Sequence, residues 1–322
     1  MKFSERMNKL KTGKFFGRLY GIILLASIAF AFWGVFMLLT PGNFGTPRHL
    51  YFYLQSSIIF SVGACGFYFI VVMGLFDFSI GANVVLSSIV GVILSRQYGY
   101  AGLLFGCIAC GTAIGFLNGF LYIKLKIPSM IVTIGLLLIY ESIASFAAQG
   151  QKQSLPPALQ GFGRAPGNMI LAFTAFMLAG LIIRYTKIGT YCYAIGSNEY
   201  VAKNMGINVN KYKLYGFMLL HFFVGIMAVL SVSYGTSMTA ITGMGSMARN
   251  FTPLMGCFFG LAFKKYGSPI IAIVVGGFII AIIFNGFIAM GAPTTIQNVV
   301  TGAALLAIVA LTLKHEKGAI VK

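Results

Sequence analysis

Five carboxylates occur in the 322 residues, Glu5, Asp77, Glu141, Glu199 and Glu316. Asp77 and Glu141 are set among apolar runs, where a lone acid acts as a proton or cation relay or pairs with a base on another helix. No close acidic pair, HExxH spacing or GxxxxGK[ST] loop accompanies them. Paired-acid catalysis, zinc hydrolysis and nucleotide hydrolysis therefore lack their residues. "GMGSMA", Gly243 to Ala248, matches the loose GxGxxA pattern, but no strand precedes it. His49, His221 and His315 are far apart and suggest no ligand cluster. Of Cys65, Cys107, Cys110, Cys192 and Cys257, only Cys107 and Cys110 form a CxxC, inside an apolar run with no second pair, so they read as small buried side chains. No catalytic residue, no metal site and no directly bound cofactor is expected.

The elements that must position these groups are membrane spans. The chain is 58% hydrophobic and 9% charged, with a mean hydropathy of +0.90, against about 25% charged residues in ordinary globular chains. Ten apolar runs read as spans: Tyr20 to Leu39, Tyr53 to Met73, Phe78 to Leu94, Ala101 to Ile123, Ser129 to Ala147, Met169 to Ile183, Leu214 to Tyr234, Phe251 to Phe263, Ile270 to Met290 and Val299 to Leu313. The first is too long for a cleavable signal peptide and reads as retained. Phe251 to Phe263 is short enough to suit a re-entrant helix as well as a crossing.

The net charge of +18 sits at span ends rather than on one face, which argues against nucleic acid. With both termini cytosolic, 18 of the 23 basic residues fall inside, and only Arg48, Arg96, Lys152, Arg164 and Arg249 fall outside. The expected fold is an all-α polytopic membrane protein of about ten transmembrane helices. Residues 1–18 form a basic cytosolic segment, 19–313 one transmembrane domain with a cytosolic loop at 184–213, and 314–322 a cytosolic tail. Gly102 and Gly106, then Gly111, Gly115 and Gly119, stand at small-xxx-small spacing, as do Gly256 and Gly260, and let helices approach closely.

Within this frame Asp77 either lines a translocation path or caps the third span, and capping is favoured because it needs only local geometry. Glu141 either binds solute hydroxyls or pairs with a basic side chain. Asn118, Tyr140 and Asn285 offer neutral groups that suit hydroxyls or bond helix to helix. The loop at 184–213 carries "GTYCYAIGSNEYVAKNMGINV", Gly189 to Val209. Ser197 or Asn198 can cap a short helix there, Glu199 suits its dipole, and Gly206 is placed as its stop. Gly196 precedes this helix, and Val201, Ala202 and Met205 share its apolar face. On these features alone, a docking surface and a merely solvated loop rank equally.

Three stretches resemble the permeases of ATP-binding-cassette importers for simple sugars, the branch for ribose, xylose, galactose and autoinducer-2. "GLFDFSIGA" is similar to a glycine, aspartate and serine motif, through Gly74, Asp77, Ser79 and Gly81. "LNGFLYIKLKIPSMIVTIGLLLIYESIA" is similar to a second motif, through Asn118, Gly119, Ile127, Pro128, Ile131, Val132, Thr133 and Gly135. The Gly189 to Val209 loop resembles the segment that contacts the ATPase, through Gly189, Tyr193, Ala194, Gly196, Asn198, Ala202, Gly206, Ile207 and Val209. The resemblance implies a multi-pass cell-membrane permease that carries sugar, with ATP on a partner ATPase subunit and an extracytoplasmic sugar-binding protein delivering the solute. It raises the docking reading above the solvated loop. The family usually carries an acidic stretch before the eighth span; here Met247, Ala248 and Arg249 stand instead. The resemblance implies a second permease copy or a different permease beside this one, and that departure points to a different permease rather than a second copy. A self-contained ion-coupled carrier or facilitator is the alternative reading.

Overall fold

The structure is a computed structural model that describes residues 26–293 apart from 41, 43 and 264–267, with isolated positions beyond. The Val299 to Leu313 run, the basic N-terminal segment, the C-terminal tail and Lys264 and Lys265 lie outside the residues described continuously. The described fold is all-helical, its one β-bridge joining Gln153 and Met238. It comprises α1 (Ala26–Leu39), α2 (Pro47–Val71), α3 (Ile80–Leu125), α4 (Ser129–Ala148), α5 (Gly167–Tyr185), α6 (Lys187–Ser197), α7 (Glu199–Asn204), α8 (Val209–Ser233), α9 (Phe251–Phe263) and α10 (Pro269–Ala289). Six of these, α2, α3, α4, α5, α8 and α10, are long and apolar enough to cross a membrane. By contacts the chain forms two compact units, residues 58–254 and residues 1–57 with 255–322.

In the larger unit, α3 runs for 46 residues but bends back at Gly99, where φ is 58° and ψ −138°. Its two halves carry the two apolar runs read from the sequence as Phe78 to Leu94 and Ala101 to Ile123, folded as a hairpin. A Cβ on Gly106 would come within 2.9 Å of Gly91 Cα, and one on Gly102 would strike the carbonyl of Leu94. The glycine stripe therefore divides: Gly102 and Gly106 seal the hairpin, whereas Gly111, Gly115 and Gly119 seat the second half against α8. Cβ atoms there would lie 2.6 Å from the His221 carbonyl oxygen, 2.6 Å from that of Phe217 and 2.8 Å from Leu214 Cδ1 respectively. Backbones this close leave room for no side chain.

The turn between α2 and α3 is bonded to the start of α4. Phe76 N–H donates to Ser129 Oγ at 3.1 Å and Phe78 N–H to Thr133 Oγ1 at 3.1 Å. Two of the sequence motifs thus hold each other. Thr133 also donates to the Ser129 carbonyl at 2.9 Å, so the hydroxyl is satisfied twice.

After α8 the backbone is irregular from Gly235 to Ser246. Met238 exchanges backbone hydrogen bonds with Gln153, beyond the C-terminal end of α4. Met244 and Ser246 bond to Glu141, seven residues before that end. Asn250 donates to the Phe78 carbonyl, beside Thr133 in the first turns of α4. The segment therefore runs alongside the C-terminal part of α4, from beyond its end down to Glu141, about 10 Å along the helix.

In the smaller unit, α10 packs on α1 and α9. Phe36 and Phe287 meet edge to face at 5.4 Å, and Ala272 and Ile279 form a core with Ile28, Ala29 and Phe259.

Candidate functional site

Three polar assemblies stand out, all within the larger unit. The first is at α6 and α7. Thr186 Oγ1 accepts from Ile188 N–H and starts α6. Asn198 separates the two helices, its backbone extended at φ −163° and ψ 106°, and its Oδ1 accepts from Val201 N–H at 3.0 Å. Asn198 is the N-cap, and Ser197 is the last residue of α6. Gly206 has φ +81°; its N–H bonds to the Lys203 carbonyl and Ile207 N–H to that of Ala202, the pairing of a glycine-terminated helix.

A six-residue helix is marginal alone, and this one is tied down from behind. Glu199 accepts from Lys213 Nζ with both carboxylate oxygens at 2.9 Å, and the same ammonium reaches Tyr122 OH at 3.3 Å. A Cβ on Gly196 would overlap the Val72 carbonyl oxygen, so α6 rests directly on the turn after α2. Cys192 on α6 is buried, and burial pushes its thiol up to about 12, which leaves it inert. Val201 and Met205 do share an outward face, 49% and 75% exposed, joined by Tyr200 at 74%. Ala202 does not belong to it: at 2% exposure it faces inward, because the apolar arc expected from spacing turns one edge toward the unit.

The second assembly is buried. Asp77 Oδ1 accepts from Ser79 N–H at 2.6 Å and Ser79 Oγ at 2.7 Å. Its Oδ2 lies 2.9 Å from His221 Nε2 and 2.8 Å from Asn118 Nδ2. Tyr140 OH donates to Asn118 Oδ1 at 2.7 Å. His221 Nδ1 faces Asn83 Nδ2, and Asn83 Oδ1 accepts from Ser87 Oγ. With hydrogen on Nε2, the imidazole donates to Asp77 and accepts from Asn83, so each ring nitrogen has a partner. Asp77, Ser79, Asn83, Asn118, Tyr140 and His221 are all buried. Asp77 binds the N-cap residue of α3, while the helix's free Gly81 N–H is taken by Asn250 Oδ1 from the irregular segment.

The third assembly is at Glu141. The carboxylate, 2% exposed, accepts from Met244 N–H at 2.9 Å, Ser246 N–H at 2.8 Å and Ser246 Oγ at 2.6 Å. It pairs with no basic side chain among the described residues; two backbone amides and a hydroxyl stand where a cation was one of its two expected partners. Asn285 joins none of these groups: it lies in the smaller unit, and its Nδ2 donates to the Ala281 carbonyl of its own helix at 2.8 Å.

The sequence reading thus brought Asp77, Asn118 and Tyr140 forward and missed His221, Asn83 and Asn250. The signal for His221 was present: an imidazole inside the apolar run Leu214 to Tyr234 needs a partner at depth, and only two carboxylates were available.

A family model described as branched-chain amino acid transport system / permease component matches residues 50–309. The ribose import permease protein RbsC of Escherichia coli K12 is 25% identical over 294 residues, covering 85% of this chain and 88% of its own. The D-allose transport system permease protein AlsC of the same strain is 25% identical over 307 residues, covering 91% and 90%. The autoinducer 2 import system permease protein LsrC of Enterobacter sp. strain 638 is 24% identical over 292 residues, covering 87% and 83%. No solved structure matches the chain.

Proposed function

Since the chain belongs to the branched-chain amino acid transport system / permease component family, we propose that it is the transmembrane permease subunit of an ATP-driven importer for a simple sugar or related small polar solute. It is a multi-pass membrane protein, and its relatives are permease components of importers for ribose, allose and autoinducer 2. On this reading ten helices cross the membrane with both termini cytosolic. A separate ATPase subunit binds and hydrolyses ATP, and the permease itself carries no catalytic group and no cofactor. An extracytoplasmic binding protein delivers the solute, and a second permease, identical or different, completes the pore.

The observation that carries the reading is the pair α6 and α7. A capped six-residue helix presents Tyr200, Val201 and Met205 outward while Gly196 rests on Val72. Exposed aromatic and thioether side chains on a fixed short helix suit insertion into a groove of a protein partner. The opposing arrangement, an ion-coupled carrier, needs free carboxylates at depth, whereas Asp77 and Glu141 are both fully hydrogen-bonded.

The test is purification of the tagged chain in detergent from its own cells with an assay for a co-purifying ATPase, comparing wild type with Met205→Glu. Retention by wild type and release by the variant is the expected outcome. An ATPase that never co-purifies with a folded wild-type chain, together with solute uptake by the isolated chain in vesicles, sinks the reading.

A further inference from the structure

The polar residues at membrane depth divide into those that are sealed and those that are not. Asp77, His221, Asn118 and Tyr140 have no exposed surface to offer a solute beyond 2%. The segment running along α4 behaves differently. Between Met238, bonded to Gln153, and Met244, bonded to Glu141, the backbone N–H groups of residues 239–243 have no hydrogen-bond partner among the described residues. Thr239, Ile241, Thr242 and Gly243 are exposed.

These residues lie beside the last seven residues of α4, about 10 Å of a membrane-length helix. Irregular backbone at that depth is tolerated where it is covered by protein or lines water, and never against lipid tails. What adjoins it is a shallow, widely open recess lined by Ser142, Ser145, Phe146, Gln149, Gly150 and Thr242. Two serines, a threonine and a glutamine offer neutral donors and acceptors at its wall, and Phe146 presents an 86% exposed ring. No carboxylate or ammonium lines it. Neutral hydrogen-bonding groups beside an aromatic face suit an uncharged polyhydroxylated solute, whose hydroxyls can take the place of water at such a wall.

We propose that this recess, lined by Thr242 and the Ser142, Ser145 and Gln149 face of α4, is a water-filled part of the translocation path and contacts the solute. The proposal rests on the permease reading and puts the solute-contacting surface away from the buried acids. Glu141 acts here as a positioning residue, holding the segment that forms the wall.

The test uses Thr242→Cys and Ser145→Cys, near-isosteric changes, in membranes containing the full importer. The probe is a membrane-impermeant, positively charged methanethiosulfonate reagent. Phe173→Cys, on the 63% exposed apolar face of α5, serves as the lipid-facing reference. Labelling of both recess positions is expected to be at least about tenfold faster than at the reference, since hydrocarbon excludes an ionic reagent, and to change when ATP and vanadate are added. Labelling of Thr242→Cys no faster than the reference overturns the proposal, because lipid or another protein then covers the wall. A rate that is fast but indifferent to nucleotide also overturns it, leaving a static crevice. Co-purification from the same membranes separates the two readings: ATPase retained with slow labelling sinks the path alone, and ATPase absent with fast labelling sinks the importer alone.

Discussion

Asp77 and Glu141 are both buried carboxylates at membrane depth, and they solve the same physical problem in opposite ways. Asp77 is held by side chains drawn from two helices and by its own turn, with His221 donating to it as a neutral imidazole. Glu141 is held by a loop, two of its three donors being backbone amides. The first arrangement closes a polar cluster within the packed α3, α4 and α8. The second spends a carboxylate on fixing a piece of backbone that lacks a helix to satisfy it. A buried acid in a membrane protein is therefore no guide to a solute path by itself; the exposure of what it binds is the better guide.

The difference is sharpest when a partner is removed. Replacing His221 by leucine removes one of the four donors to the fully buried Asp77 carboxylate, and losing a buried hydrogen bond to a charged group costs about 3 kcal/mol. Thermal unfolding in detergent should register that loss in full. Adding Asp77→Asn to His221→Leu should recover part of it, a coupling of about 1–3 kcal/mol. Additive losses would mean that the imidazole and carboxylate are bonded to their other neighbours and owe little to each other.

Glu141→Ala should cost less, about 2 kcal/mol for the buried Ser246 donors it strands, because the exposed Met244 amide can return to water. Its signature is local rather than global. The Gly243 to Ser246 turn, where Gly243 and Met244 both have positive φ, should loosen and become susceptible to protease or faster in hydrogen exchange, while the exchange of α3 and α8 stays slow. Equal loosening of α3 and α8 would show that the two carboxylates belong to one cooperative unit.

How much of this was legible in the sequence follows from the range of each interaction. The α7 signals are local: the Asn198 cap, the Glu199 first turn and the Gly206 stop lie within nine residues and needed only helix geometry. The glycine spacing of the second half of α3 was equally readable, since a four-residue repeat defines a face before its partner is known. His221 and Asp77 are 144 residues apart, and nothing in either neighbourhood names the other. The course of residues 238–246 along α4 was invisible for a related reason. Threonine, glycine and methionine in succession read as an ordinary surface loop, and only Glu141 and Gln153 give its depth. α6 was folded into a loop because Tyr191, Cys192 and Ile195 do not advertise a helix without the surface they pack on.

Gly196 tests the contact through which α6 meets the rest of the unit. A methyl there would overlap the Val72 carbonyl oxygen, and forcing it in costs about 1–3 kcal/mol. Gly196→Ala should lower the unfolding temperature and reduce ATPase retention together, since the displaced helix carries α7 with it. Retention unchanged at reduced stability would separate the docking surface from this contact.

The smallest effects discriminate best, because they separate a helix's formation from its use. Asn198→Ala removes the side-chain cap on Val201 N–H and should cost about 1 kcal/mol, whereas Met205→Glu changes a side chain 75% exposed to solvent in the isolated chain and should stay within about 0.5 kcal/mol of wild type. If α7 is a docking element, the ranking inverts for assembly: the stability-neutral Met205→Glu releases the ATPase, and the destabilised Asn198→Ala retains it in part, since the partner's groove supplies the order the cap had provided. If α7 is merely a solvated connection, ATPase retention is indifferent to Met205→Glu, and the two variants differ only in melting temperature. Stability and retention measured on the same two proteins therefore decide whether the outward face of Tyr200, Val201 and Met205 is held in place for a partner.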